Sequence, residues 1–194
     1  MGFLSVLSFA HKQIEGRLQP GDIAIDATVG TGADTVILAK LAGLRGHIYG
    51  FDIQERALEL AKERFSREPA DSLAPVSLFL ASHDLMMDYV PSEAEGCIGA
   101  VMFNLGYLPS QEADKNIITE TSSTLRALQA ALSLLRPKGI ITIVLYPGHT
   151  GGDAEAAAVT AWASGLPQEL CQTVMYRQLQ RSDSPYVIAI EKKR

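Results

Sequence analysis

The stretch IAIDATVGTGADT, residues 23–35, joins a short apolar run to a glycine-rich turn and then to a helical pattern. Residues 23–27 are typical of a buried strand, and residues 31–41 are typical of the helix that follows it. Gly30 and Gly32 tolerate positive φ and let the backbone approach a ligand closely. A strand, a tight turn and a helix in this order predict one unit of an α/β fold.

The same pattern recurs on the carboxyl side of this stretch. Further strands are predicted at residues 47–51, 76–80, 98–103 and 140–145. Helices are predicted at residues 55–67, in a short segment before Pro91, along an apolar stripe from Ile118 to Leu135, and near residues 154–162. Because parallel strands need crossover connections, we expect a parallel sheet covered by helices on both faces.

Both ends of the chain add to this sheet. Apolar residues at positions 3, 7, 10 and 14 predict an amphipathic helix, within residues 1–18, that caps the sheet. Residues 170–178 and 186–191 are typical of two strands, and the short turn between them permits only antiparallel pairing. We therefore predict a single domain over residues 1–194 with a doubly wound, Rossmann-like α/β fold. Its seven strands are mostly parallel, and the C-terminal hairpin gives the sheet one reversed edge.

Composition narrows the class of protein. A chain of 194 residues has the size of one domain, and its net charge of −5 argues against binding nucleic acid by bulk electrostatics. Cys97 and Cys171 belong to no Cys-x-x-Cys motif or Cys/His cluster, so we expect reduced, buried thiols and neither a disulfide framework nor a zinc site. No apolar run approaches the length of a membrane span, and a cytoplasmic protein is expected.

In doubly wound sheets, ligands bind outside the carboxyl ends of the strands. The first such end carries Asp26 followed by Gly30 and Gly32, a D-x-x-x-G-x-G pattern. The dinucleotide pattern G-x-G-x-x-G fails because Thr35 occupies its last position. The acidic strand end suits a ligand with a cationic amino-acid portion better than a pyrophosphate. The alternative is a tight turn that binds no ligand.

The next two strand ends offer further polar groups. Asp52, followed by Ile53 and Gln54, can accept two hydrogen bonds from a ribose diol, although an Asp at this position can also cap a helix. Ser82 and His83 follow the third strand and can reach an adenine edge. The alternative is that Ser82 or Asp84 only caps the next helix.

The fourth strand ends in Asn104-Leu105-Gly106-Tyr107-Leu108-Pro109. An amide oxygen and backbone carbonyls beside an aromatic ring suit an amine nucleophile, because they accept its N–H bonds and orient its lone pair. The alternative is a β-turn with a packing Tyr.

Taken together, D-x-x-x-G-x-G, the acid after the second strand, the terminal hairpin and the R-P-K-G-I turn at residues 136–140 resemble the class I S-adenosylmethionine-dependent methyltransferases over essentially the whole chain. The finer resemblance is to the small bacterial family of "putative rRNA methylases". This family includes enzymes that methylate the aminomethyl nitrogen of 5-aminomethyl-2-thiouridine at the tRNA wobble position.

Four motifs carry this finer resemblance. The family's A-x-D-A-T-x-G-N-G-x-D-T is similar to residues 24–35, and its N-L-G-Y-L-P is identical to residues 104–109. Its Ser-His is similar to residues 82–83, and its Y-x-G-H to residues 146–149. Thr31 and Ala33 replace the Asn and the His or Tyr that are usual in the first loop, which puts one side-chain contact in doubt but not cofactor binding as a whole.

The resemblance implies S-adenosylmethionine as cofactor, S-adenosylhomocysteine as product, no metal, the anticodon stem-loop of tRNA as partner, and a homodimer. Asn104 and the Leu105 carbonyl would orient the amine, Tyr107 would pack on the base, and His149 would contact substrate or relay the proton. The predicted cofactor contacts are Asp26, Thr28, Gly30, Thr31, Gly32, Asp34, Thr35, Asp52, Ile53, Gln54, Ser82, His83 and Asn104. The predicted substrate contacts are Leu105, Gly106, Tyr107, Pro109, Tyr146, His149, Arg177 and Arg181.

The remaining histidines and the terminal cations receive plainer interpretations. His47 is interpreted as surface or structural. His11 is interpreted as a solvated residue on the polar side of the first helix, and the alternative is an RNA contact. A cluster of cations in the hairpin and tail is typical of a solvated face, and the alternative is that phosphates dock there: Arg177, Arg181, Lys192, Lys193 and Arg194.

Three alternatives remain open at this point. One is a methyltransferase that acts on rRNA or on a small-molecule amine. Another is a nucleotide-binding oxidoreductase or sensor, against which the missing third glycine is evidence. The last is a binding module without catalytic activity.

Overall fold

The structure is a computed structural model and describes residues 2–69, 71–106, 120–148, 151–181 and 183–194. The strands are β1 (Ile23–Asp26), β2 (His47–Asp52), β3 (Val76–Leu80), β4 (Ile98–Asn104), β5 (Leu135–Leu145), β6 (Cys171–Arg177) and β7 (Tyr186–Lys192). The α-helices are α1 (Val6–Glu15), α2 (Ala33–Ala42), α3 (Glu55–Phe65), α4 (Met86–Tyr89), α5 (Thr121–Leu134) and α6 (Gly152–Ser164). Short 3-10 turns cover His83–Leu85 and Ser92–Ala94.

The strands form one sheet in the order β3-β2-β1-β4-β5-β7-β6. Strands β1 to β5 are parallel, and β7 pairs antiparallel with both β5 and β6. The predicted doubly wound sheet of seven mostly parallel strands with a C-terminal antiparallel hairpin is therefore confirmed.

The predicted reversed edge is wrong in one respect, because the reversed strand β7 lies inside the sheet. It is inserted between β5 and β6, so β6 forms the edge. The reason is visible in burial: residues 186–190 of β7 are all buried, whereas Val174 and Met175 of β6 are each 45% exposed. The more apolar strand takes the central position, where both of its faces are covered.

Successive residues of the strands face opposite layers of helices. Ala24, Met102 and Val144 pack in one core, which includes buried residues of α1 and α2. Phe103 and Ile143 pack in the other core, which includes buried residues of α5 and α6. This alternation follows from the pleat of the strands, and it fixes the sheet between two layers of helices.

Several local expectations need correction. Phe3 is 98% exposed because α1 begins only at Val6, after the Ser5 side chain accepts a hydrogen bond from the Ser8 N–H. The predicted turn at residues 136–139 falls within β5, where Lys138 has a φ of 61° and the pairing with β4 shifts register. Cys171 is a buried free thiol, whereas Cys97 is exposed, in the turn before β4.

Among the helices of the described ranges, none combines the length and the apolar character needed to cross a bilayer.

Candidate functional site

The carboxyl ends of β2, β1 and β4 lie side by side at one end of the sheet, which we call the carboxyl edge to distinguish it from the outermost strands β3 and β6. Asp26 at the end of β1 is in register with Gly50 of β2 and Met102 of β4. Strand order reverses between β1 and β4, so this edge contains the switch point where doubly wound sheets bind ligands.

Asp26 holds the turn that leaves β1. One carboxylate oxygen accepts the Thr28 N–H at 3.1 Å, and the other accepts the Thr35 hydroxyl at 2.5 Å. The side chain is buried, and burial together with the nearby charge of Asp34 raises the pKa of Asp26 to about 7. The Asp26 carboxylate is therefore engaged within the turn that it shapes and is not exposed to a ligand.

The glycine turn itself is closely packed. Gly30 has a φ of 53° and Gly32 a φ of 75°, which side chains rarely adopt. A Cβ on Gly32 would lie 2.8 Å from the Cα of Ala61 in α3, so the close approach at this glycine is to a helix. Helix α2 consequently begins at Ala33, two residues later than predicted, since Gly32 is its left-handed N-cap. The carbonyl oxygen of Thr31 accepts a hydrogen bond from Arg64 Nε at 2.8 Å.

Asp52 fastens this turn to the tip of β2. Its two oxygens accept the N–H groups of Gly30 and Gln54, each at 2.9 Å. Burial raises the pKa of Asp52, although these backbone hydrogen bonds oppose the shift. Ile53, the next residue, is 55% exposed, which places an apolar surface beside the carboxylate.

His83 lies beneath the turn rather than on its surface. Its Nδ1 is 3.1 Å from the carbonyl oxygen of Ala27, so Nδ1 carries the proton and Nε2 is an acceptor. Nε2 is buried and has no hydrogen-bond partner among the described residues. Burial lowers the pKa of His83, which keeps the ring neutral.

The neighbours of His83 make contacts of their own. Ser82 is half-buried and precedes the 3-10 turn without capping it through its side chain, so that alternative is wrong for Ser82. Asp84 forms an ion pair with Arg126 of α5 at 2.6 Å. Burial alone would raise the pKa of Asp84, but hydrogen bonds from Ser82 and Arg126 lower it.

Asn104 connects the tip of β4 to the first turn. Its N–H donates to the Thr28 hydroxyl at 2.7 Å, and its side-chain Nδ2 donates to one oxygen of Asp34 at 3.3 Å. The other oxygen of Asp34 is 2.7 Å from Nε2 of His11. The structure thus brings five of the predicted site residues into one continuous network: Asp26, Thr28, Asp34, Thr35 and Asn104.

His11 was interpreted from the sequence as solvated, and that interpretation is wrong. Its side chain is 27% exposed and forms a hydrogen bond with Asp34, 23 residues away along the chain. The one sequence signal was its place between Ala10 and Ile14, the buried residues of α1. His47, by contrast, has the predicted structural role, since its Nε2 is 2.9 Å from the Ser77 hydroxyl.

The turn after β4 begins against Tyr146. Leu105 is buried and its N–H donates to the Val144 carbonyl at 2.9 Å. A Cβ on Gly106 would lie 3.5 Å from the Tyr146 ring, so the ring flanks this turn. Tyr107, Pro109 and His149, three of the predicted site residues, lie outside the described residues.

The predicted cluster of cations is divided between the carboxyl edge and the opposite end of the sheet. Arg177 pairs with Tyr186 at the carboxyl edge, with its guanidinium 4.9 Å from the Tyr186 ring centroid. Arg181 follows in the same hairpin, with a 67% exposed side chain 3.5 Å from Asp183.

Lys192 and Lys193 lie at the opposite end of the sheet and donate hydrogen bonds to backbone carbonyls. Lys192 Nζ donates to the carbonyls of Leu132 and Leu135 at 2.9 and 2.7 Å, and Lys193 Nζ donates to the Gln168 carbonyl at 2.5 Å. Lys192 thus stabilises the end of α5. The five cations therefore do not form one cluster, and the candidate phosphate contact stays at Arg177 and Arg181.

Comparisons with known proteins show which sequences and structures this chain is similar to. The family model described as "Putative rRNA methylase" matches residues 48–192. The chloroplastic tRNA (mnm(5)s(2)U34)-methyltransferase of Arabidopsis thaliana is 37% identical over 190 residues, which are 95% of this chain and 68% of the relative.

Two solved structures are similar over nearly their whole length. One is a protein from Clostridium thermocellum described as a "putative rRNA-methylase", with 33% identity and a TM-score of 0.90 over 99% of this chain and 100% of that one. The other is a protein from Streptococcus mutans described as a "putative methyltransferase", in complex with SAH, with 33% identity and a TM-score of 0.85 over 98% and 99% of the two chains.

Proposed function

Because the chain belongs to the family described as "Putative rRNA methylase", it is an S-adenosylmethionine-dependent methyltransferase, and we propose that it methylates tRNA. The proposed acceptor is the aminomethyl nitrogen of 5-aminomethyl-2-thiouridine at the wobble position, and the product is 5-methylaminomethyl-2-thiouridine. The observation that carries this proposal is the position of Asn104. Thr28 holds its backbone N–H and Asp34 holds its side-chain amide at the switch point, where the amide can orient an amine. The tRNA specificity named for the Arabidopsis relative supports the choice of substrate.

The residues present fit S-adenosylmethionine. The Asp52 carboxylate and the exposed Ile53 offer an acceptor and an apolar surface at one place, beside the glycine turn at residues 28–32. The buried Nε2 of His83 is a further acceptor without a partner among the described residues. We propose that these groups hold the cofactor together with Gln54 and Ser82, whereas the fully buried Thr35 acts through its hydrogen bond to Asp26. When bound, the cofactor supplies a methyl group made electrophilic by the attached sulfonium sulfur.

The chain's task is then to orient the amine and to keep water away. An alkylammonium ion has no lone pair, so it must lose a proton before the nitrogen can attack. The Asn104 Oδ1 and the Leu105 carbonyl would accept N–H bonds from the neutral amine and direct its lone pair. Tyr107 packing on the base, Pro109 beside it, Tyr146 as a flanking ring and His149 as a substrate contact or proton relay remain part of the proposal. Catalysis of this kind needs no metal.

The RNA contact is proposed at Arg177 and Arg181, since they lie at the carboxyl edge of the sheet, where the candidate site also lies. With a net charge of −5, the protein would bind tRNA weakly and in a salt-sensitive manner. The modified nucleotide would then supply much of the selectivity. A homodimer and a cytoplasmic location, both expected from the sequence, remain predictions.

Replacing Arg181 with Ala is expected to raise the KM for tRNA about threefold and to reduce its salt dependence, because one phosphate contact is lost. The matched control is Arg194→Ala, which removes an exposed arginine at the opposite end of the sheet. The measurement is the initial rate of methylation at several salt concentrations. Equal effects of the two substitutions would contradict a phosphate contact at Arg181.

The proposed substrate is tested with purified protein, labelled S-adenosylmethionine and two tRNA preparations, one that bears 5-aminomethyl-2-thiouridine and one that is unmodified. We expect transfer to the first preparation alone, and mass spectrometry of the digested nucleosides should identify the methylated product. A strain that lacks the gene should accumulate 5-aminomethyl-2-thiouridine. Transfer to both tRNAs alike, or to neither, would overturn the proposed acceptor.

The alternative substrates and classes are separated by parallel measurements. Transfer to ribosomal RNA or to a small amine, with no transfer to tRNA, would favour the other methyltransferase activities. Titration with NADH and with S-adenosylhomocysteine tests the oxidoreductase alternative, for which only NADH would bind. Binding of S-adenosylhomocysteine without transfer to any acceptor would favour a binding module.

A further inference from the structure

We propose that His11 is a positioning residue that acts on the substrate amine through Asp34 and Asn104. It holds the Asp34 carboxylate, which in turn fixes the Asn104 amide with Oδ1 directed toward the amine. This inference rests on the proposed function, because it assigns the residue that sets the geometry of the amine site. Helix α1 is then a component of that site and does more than cover the sheet.

The contacts form a chain of three side chains. His11 Nε2 is 2.7 Å from one oxygen of Asp34, and Asn104 Nδ2 is 3.3 Å from the other. An ionised carboxylate only accepts hydrogen bonds, so the nitrogen of the Asn104 amide must face Asp34. The amide oxygen therefore lies on the opposite side. Without this arrangement the amide could turn over and present two N–H donors to an amine that needs acceptors.

The position of Asp34 depends on His11. Asp34 is only 9% exposed, and its repulsion with the buried Asp26 is one cause of the raised pKa of Asp26. Two carboxylates at close quarters repel each other, so an ionised Asp34 needs a compensating donor. His11 supplies it with a short contact, whereas the longer contact to Asn104 alone would hold the carboxylate less firmly.

Helix α1 is itself held at both ends, as a positioning element must be. At its start, Phe9 stacks on Tyr176 of β6 with ring centroids 4.4 Å apart, and the Tyr176 hydroxyl donates to the Leu4 carbonyl. Just past its end, Arg17 forms an ion pair with Glu191 of β7 at 2.6 Å. His11 lies between these attachments.

The simpler interpretation is that the His11–Asp34 hydrogen bond only attaches α1 to α2. Both residues lie outside the span of the family match, residues 48–192, so that match does not distinguish the two roles. The roles do differ in what they predict. A fastening pair affects stability alone, whereas a positioning pair affects the Asn104 amide and the turnover of a folded enzyme.

The test compares His11→Ala, His11→Gln and the control Lys12→Ala, which alters a neighbouring exposed side chain on the same helix. We expect His11→Ala to lower kcat for the aminomethyl-bearing tRNA about tenfold, through misorientation of the amine. The Kd for S-adenosylhomocysteine should change less than about twofold, since the glycine turn is untouched. His11→Gln should recover most of the activity because its amide N–H can donate to Asp34. Lys12→Ala should match the wild type.

A second measurement does not depend on activity. The side-chain amide signal of Asn104 in ¹⁵N–¹H spectra, assigned by its loss in Asn104→Ala, should shift in His11→Ala and return toward the wild-type position in His11→Gln. An unchanged Asn104 signal in His11→Ala, or unchanged turnover, would overturn the inference. If His11→Ala does not fold, the comparison of His11→Gln with the wild type decides, since full activity with a shifted Asn104 signal would also overturn it. A wild-type enzyme inactive on this tRNA would refute the proposed function instead, and the Asn104 signal would still test the His11 contact.

Discussion

Replacing Asn104 with Ala is expected to lower kcat for the aminomethyl-bearing tRNA by about 100-fold or more, which corresponds to about 2.7 kcal/mol of transition-state stabilisation. The reason is geometric, because Asn104 contributes an oriented acceptor at the tip of β4. Ala keeps the backbone N–H that donates to Thr28, so the glycine turn should retain its shape. The Kd for S-adenosylhomocysteine should therefore stay within about threefold of the wild type.

The measurement combines single-turnover methylation with calorimetric titration of S-adenosylhomocysteine. Gln129→Ala is a matched control, since it removes an exposed side-chain amide from α5. A loss of cofactor affinity as large as the loss of turnover would place Asn104 in the cofactor site rather than in the amine site. Wild-type turnover in Asn104→Ala would contradict the proposed mechanism altogether.

The sequence predicted the sheet and the ends of its strands well. Local signals suffice there, since apolar runs mark β1 to β5 and the short turn before Tyr186 forces antiparallel pairing. The positions of β6 and β7 within the sheet could not be predicted from local signals, because they depend on which of the two strands buries both faces. Similarly, residues 136–139 carry a turn signal, yet they lie within β5 as an irregularity of the strand.

The candidate site was predicted in part for the same reason. Asp26, Asp52 and Asn104 each follow an apolar run, so sequence alone places them at one edge of a parallel sheet. His11 carries no such signal, because its contact with Asp34 exists only once α1 has packed against the sheet.

The division of the cations was, in contrast, within reach of the sequence. A strand rises about 3.3 Å per residue, so Tyr186 and Lys192, the two ends of β7, are separated by about 20 Å. Arg177 pairs with Tyr186 and Cys171 pairs with Lys192, which puts the arginine and the lysines at opposite ends of the hairpin. Treating the cations as one cluster overlooked the length of the hairpin.

Asp26→Asn is expected to change the pH dependence of stability more than any other single carboxyl substitution in the turn. The pKa of Asp26 is raised from 3.8 to about 7 in the folded protein, chiefly by burial. Below pH 3.8 the carboxyl is protonated in both the folded and the unfolded chain. Between 3.8 and about 7 only the unfolded chain releases the proton, so the free energy of unfolding falls as pH rises through this window and is constant above it. A shift of this size corresponds to about 4 kcal/mol.

The asparagine variant should lack this fall. Its Oδ1 can accept the Thr28 N–H and its Nδ2 can donate to the Thr35 hydroxyl, so the turn keeps both hydrogen bonds without a titrating group. Urea unfolding of the two proteins at pH 4, 5.5, 7 and 8 should show the variant gaining stability relative to the wild type by about 4 kcal/mol across the series. Asp88→Asn, at an exposed position, is the control for a change of net charge. Parallel pH profiles for the wild type and Asp26→Asn would mean that Asp26 ionises normally, and that the buried turn tolerates its charge beside Asp34.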